Sequence, residues 1–124
     1  MSELDAPRIY AFDVDETLEV SGGPIKIQDL VALWREGHVL GICGNYHVGT
    51  HGIPFWHRLF SFLGSMGLTK AEFLRQIQTY CPPASDYVMV GNDHTIFGAS
   101  RDREAAEEAG WRFIREHDFA AGAR

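Results

Sequence analysis

Short unbroken apolar runs alternate along the chain with amphipathic stretches, and that alternation predicts the fold. Ile9-Tyr10-Ala11-Phe12 is a continuous apolar run ending in Asp13, the pattern of a strand covered on both faces. Ile27, Leu30, Val31 and Trp34 follow at the i, i+3, i+4, i+7 spacing of a helix stripe, which Gly37 closes as a left-handed cap. Val39-Leu40-Gly41-Ile42 and Tyr87-Val88-Met89-Val90 read as two further buried strands, and Trp111-Arg112-Phe113-Ile114 as a fourth.

The clearest local signal is Leu68-Thr69-Lys70-Ala71-Glu72-Phe73. Thr69 and Glu72 have the spacing of a capping box, and Leu68 with Phe73 fits the hydrophobic staple around it. A helix is therefore predicted from there through Leu74 and Ile77 to about Thr79, before Pro82-Pro83. A last helix is expected from near Ser100 to Gly110, with Ala105, Ala106 and Ala109 facing the sheet. Between the second strand and Thr69 the spacing predicts one helix at most. In it Phe55, Leu59, Phe62 and Met66 would face the core, while Trp56 and Phe60 fall to one side and could form a homodimer or partner surface. The stretch from Leu18 to Pro24, with its Ser21-Gly22-Gly23 turn, has room for a small hairpin flap but not for a lid domain.

Strands alternating with helices predict a single-domain α/β fold: a doubly wound, Rossmann-like three-layer sandwich with a mostly parallel sheet and no large cap. Its ligand site belongs beyond the carboxyl ends of the strands. The length of 124 residues suits one domain, and 45% apolar content suits a packed core. No apolar run approaches a membrane span, and the acidic Met1-Ser2-Glu3-Leu4-Asp5 start does not read as a signal peptide, so no membrane partner is expected. Eleven Lys and Arg against 17 Asp and Glu give a net charge of −6. Such a surface repels phosphate backbones, so nucleic acid is expected as a partner only as a phosphorylated end. Cys43 and Cys81 have no metal or redox spacing, so reduced thiols and a cytoplasmic setting are the expectation.

Several chemistry-bearing residues fall at the predicted strand ends. The first strand ends in Asp13-Val14-Asp15-Glu16-Thr17, the second in Cys43-Gly44-Asn45, and the third in Gly91-Asn92-Asp93, while Lys70 opens a helix. Asp13 to Leu18 matches the DxDxT signature of the haloacid dehalogenase-like (HAD) phosphohydrolases. Val39 to Asn45 resembles that family's second motif, Lys70 its third-motif lysine, and Val88 to Asp93 its acidic fourth motif. The resemblance spans nearly the whole chain.

The resemblance implies a magnesium-dependent phosphomonoester hydrolase acting on a phosphorylated substrate. Asp13 would be the nucleophile that forms an aspartyl-phosphate, and Asp15 the acid and base. Lys70 would hold the phosphoryl group. Thr17, Cys43, Gly44 and Asn45 would line the substrate, and Asp13, Asp15 and Asp93 would hold Mg2+. Two positions depart from the family pattern. Cys43 stands where Ser or Thr is usual, which shifts phosphate contact to the backbone N–H groups of Gly44 and Asn45. No second acid follows closely after Asp93, and Asp102 reads instead as a first-turn acid of the last helix.

His47, His51 and His57 lie close together, and their irregular spacing with Gly49 and Gly52 favours a loop at the mouth of the site, where His47 could contact substrate. A response-regulator receiver domain would need a phosphoacceptor Asp at the end of a middle strand. None occurs between Asp29 and Asp86. The alternative that stays open is a HAD-like domain that has lost catalysis and serves as a binding or scaffold module.

Overall fold

The computed structural model describes residues 6–81, 83–92 and 101–124. Five strands form one all-parallel sheet: β1 (Arg8–Phe12), β2 (Val39–Cys43), β3 (Phe62–Gly64), β4 (Asp86–Gly91) and β5 (Arg112–Arg115), in the order β3-β2-β1-β4-β5. The helices are α1 (Ile27–Arg35), α2 (Tyr46–Gly52), α3 (Trp56–Leu59), α4 (Lys70–Tyr80), α5 (Asp102–Ala109) and α6 (Glu116–Ala120). The fold is the expected α/β sandwich with helices on both faces. Among the described residues no helix is long and apolar enough to cross a membrane.

Strand periodicity sorts the core into two layers. On one face Tyr10, Phe12, Leu40, Ile42, Val88 and Val90 meet Leu30 and Leu33 of α1, Leu59 of α3 and Phe119 of α6. On the other, Ile9, Ala11, Cys43 and Met89 meet Phe73, Leu74 and Ile77 of α4 and Ala106 of α5. The chain steps outward from β1 to β2 and β3, then α4 returns it to β4 on the far side of β1. That reversal opens a crevice at the carboxyl ends of β1 and β4, the usual ligand position of such sheets.

Several expectations hold in detail. Thr69 and Glu72 form a reciprocal capping box at the start of α4, while Gly37 (φ 93) and Gly110 (φ 79) take the left-handed conformation beyond α1 and α5. The last predicted helix, from near Ser100 to Gly110, runs over Asp102–Ala109 with Gly110 beyond it; Ser100 itself lies outside the described residues.

Other expectations are corrected. The segment after Asn45 contains two helices and a strand instead of one helix. Phe60 is buried in the core, whereas Phe55 and Met66 are exposed. The apolar run around Phe62 serves as a three-residue edge strand, because β2 offers an unpaired flank there. In α1 the buried stripe is Leu30 and Leu33, and Trp34 faces outward. Leu18 to Pro24 does not form a hairpin flap. Glu19–Ser21 is a 3-10 turn, and buried Leu18 bridges buried Ile25 in parallel. That pairing draws the segment into the core.

Both sheet edges are modest. β3 is three residues long, and β5 begins and ends in arginine, with Arg112 paired to Asp86 at 2.8 Å.

Candidate active site

The loop after β1 sends its two aspartates in opposite directions. The Asp13 amide donates to the Val90 carbonyl at 2.9 Å, which ties the strand end to β4. The Val14 carbonyl then accepts from Thr17 and Leu18 amides at 3.0 and 3.1 Å, and also from the Ser21 hydroxyl. Glu16 takes a left-handed φ of 58 to complete the turn. As a result Asp13 is buried and Asp15 is exposed. Thr17, fully buried, donates its hydroxyl to Asp13 Oδ2 and to the Asp15 carbonyl, each at 3.3 Å.

Three more strand or helix ends close on Asp13. Lys70, the first residue of α4, places Nζ 3.1 Å from Asp13 Oδ1 and 2.6 Å from Asp102 Oδ1. Asp102, the first residue of α5, is fully buried, and its Oδ2 accepts the Asn92 amide at 2.9 Å. Asn92 follows β4 and donates Nδ2 to Asp13 Oδ2 at 3.0 Å and to the Asp15 carbonyl at 2.9 Å. Two glycines permit these approaches. A Cβ on Gly44 would lie 2.5 Å from Asp13 Oδ1, and one on Gly91 would collide with the Asp102 carboxylate.

Asn45 is held as the cap of α2, accepting the Val48 amide at 3.4 Å, and its Nδ2 reaches Asp15 Oδ1 at 3.1 Å. The Asp15 carboxylate is thus oriented but open to solvent. The expected trio of Asp13, Asp15 and Lys70 therefore meets at one crevice, with Thr17, Gly44 and Asn45 beside it.

Cys43 is fully buried in the core layer beneath Lys70, and burial pushes its thiol up to about 12. It stays a neutral thiol in that layer. His47 and His51 sit on α2 and His57 on α3, so the expected loop is helical. Among the described residues no three His, Cys, Asp or Glu side chains gather into a metal-ligating group. Asp93, expected to bind the metal, lies outside the described residues.

Among the described residues the cluster holds more carboxyl groups than cations. Burial pushes the Asp13 carboxyl up to about 6; Lys70 opposes the rise and Asp102 adds to it. For Lys70 burial acts downward, but the two carboxylates outweigh it and hold the ammonium above its usual range. Among the described residues three carboxyl groups, Asp13, Asp15 and Asp102, lie around the single ammonium of Lys70. A divalent cation would offset the repulsion between these carboxyl groups and an anionic ligand.

The donor set suits a hard divalent ion. Asp13 Oδ2 and the Asp15 carbonyl converge on the Asn92 side-chain amide, and Asn92 Oδ1 is buried with no hydrogen-bond partner among the described residues. All three are oxygens, the ligand type magnesium prefers.

Comparison with protein-family models, with curated proteins and with solved structures returns no match to this chain.

Asn92 and Asp102 are site residues that sequence reasoning passed over. Asn92 stood in the strand-end motif, but an amide beside an acid draws less notice. Asp102 was placed correctly in the first turn of its helix, and only the packing of α5 against Gly91 shows that it faces inward.

Proposed function

We propose that the chain is a HAD-like phosphomonoester hydrolase that uses magnesium and an aspartyl-phosphate intermediate. The observation that carries this reading is the Lys70 ammonium, held between buried Asp13 and buried Asp102 at the strand ends with an exposed acid two residues from Asp13. A structural ion pair has no need of that exposed second carboxylate.

Asp13 attacks phosphorus, and the bond from phosphorus to the leaving oxygen breaks as Asp15 delivers a proton to that oxygen. Asp15, now ionised, takes a proton from water, whose oxygen attacks the phosphorus of the acyl phosphate. Inorganic phosphate leaves and Asp13 is regenerated. Lys70 offsets charge on the phosphoryl oxygens throughout, and Asp102 positions it. Asp13, the Asp15 carbonyl and Asn92 would hold magnesium, which when bound neutralises the phosphoryl dianion and polarises it toward attack. Asn45 orients Asp15 toward the leaving group.

The test is release of phosphate from a generic aryl phosphate with and without magnesium, run beside Asp13→Asn. Magnesium-dependent turnover lost in the variant supports the reading; turnover retained in the variant removes Asp13 from the nucleophile's role.

A second reading is favoured by one observation. The Asn92 Nδ2 group already satisfies Asp13 Oδ2 and the Asp15 carbonyl, as suits a domain that binds a phosphorylated ligand without cleaving it. Binding of an aryl phosphate with no turnover at any magnesium concentration would select that reading.

A further inference from the structure

We propose that Tyr46 and His47 form a stacking platform for the leaving group, and that the preferred substrates are phosphomonoesters bearing a flat ring. The proposal rests on the phosphohydrolase reading and adds the substrate class to it.

The leaving group departs on the side of Asp15, which among the described residues of the cluster is the exposed carboxylate. Asn45 holds Asp15 and caps α2 in the same gesture. The next two residues of the chain are Tyr46 and His47, whose rings are stacked with centroids 4.8 Å apart and an interplanar angle of 26°. Tyr46 is half-buried and packs on the core, so it acts as a fixed backing. His47 lies outermost and is exposed. An aromatic pair that directly follows the residue holding Asp15 offers π surface rather than hydrogen bonds, and its core-packed Tyr46 limits the entropy cost of using it. The segment between the first two strands is drawn into the core through Leu18 and Ile25, and its Val20 packs against the far end of α2, at Gly52. Among aryl phosphates and nucleoside monophosphates, the shared recognised feature is the planar ring.

The experiment compares phenyl phosphate and adenosine monophosphate with the ringless glycerol phosphate and with ribose 5-phosphate, each in the presence of magnesium. The wild-type protein should favour the member of each pair that bears a flat aromatic ring in kcat/KM. His47→Ala should reduce that preference about fivefold, the scale of one lost stacking contact at an exposed site, whereas His47→Phe should retain it. A preference kept in His47→Ala, or lost in His47→Phe, overturns the platform, the latter because the imidazole would then act by hydrogen bonding or charge. Turnover of all four esters without preference refutes the platform alone. With Asp13→Asn as the binding form, binding of adenosine monophosphate and ribose 5-phosphate with equal affinity also refutes it, and failure to bind any of the four refutes the phosphohydrolase reading itself. Melting temperatures of both His47 variants close to wild type exclude unfolding as the cause.

Discussion

Replacing Asp13 by Asn should make the metal-free protein more stable while removing its proposed activity. The Asp13 carboxylate is almost fully buried, and its proton affinity rises from 3.8 to about 6 on folding, chiefly through burial. That rise is worth about 3 kcal/mol. The folded state binds the proton more tightly than the unfolded one, so this contribution is fully present below about pH 4. It fades as pH rises and is gone above about pH 6. Asparagine mimics the protonated form at every pH. Asp13→Asn should therefore match the wild type near pH 4 and exceed it at pH 7.5 by up to about 3 kcal/mol, or on the order of 10 °C in Tm for a domain of this size. Urea or thermal melts in chelator across pH 4 to 8 would measure the difference between the two proteins, which cancels the pH dependence of the other carboxylates. A difference that does not grow between pH 4 and pH 6, or a variant less stable at pH 7.5, would refute the claim that Asp13 is a buried and poorly compensated charge.

Millimolar magnesium should raise the wild-type Tm at pH 7.5 and leave Asp13→Asn unmoved, since binding to the folded state alone adds about 2.7 kcal/mol at a hundredfold excess over Kd; equal shifts in both proteins would place the ion elsewhere. Lys70→Met should destabilise by about 3–5 kcal/mol, because it leaves the Asp13 and Asp102 carboxylates buried without their shared cation, and chemical denaturation checks this. Gly44→Ala should abolish turnover with the circular dichroism spectrum unchanged, because its Cβ would displace Asp13 Oδ1; an active variant would mean the strand end can shift at no cost to the nucleophile. Under native conditions Cys81 should react with a thiol reagent while Cys43, fully buried and pushed up to about 12, should not, and counting modified thiols by mass spectrometry decides it.

What could be read in advance was local. The capping box of α4 needs only Thr69 and Glu72, three residues apart, and the buried strands announce themselves because a parallel sheet wants both faces apolar. The aspartates and lysine stood at strand and helix ends, so their convergence followed from the topology rule for α/β sheets. What stayed hidden depends on neighbours distant in sequence. Phe62-Leu63-Gly64 carries apolar residues at a spacing that suits helix or strand, and the free flank of β2 decides between them. Asp102 has the sequence context of an ordinary first-turn acid, and its burial comes from α5 resting on Gly91 and Lys70 arriving from α4. Phe55 and Met66 were assigned to the core by helical periodicity, which lapses once the helix stops at Leu59.

The two flanks of the sheet also bear on behaviour at high concentration. A strand of three residues at one border and one bracketed by arginines at the other are poor templates for recruiting a foreign strand. Like charges on β5 would face each other if two molecules met border to border, and β3 offers too few amides to zip. The native molecule is thereby guarded against fibrillar growth through its sheet, so any clumping on heating should begin from unfolded chains.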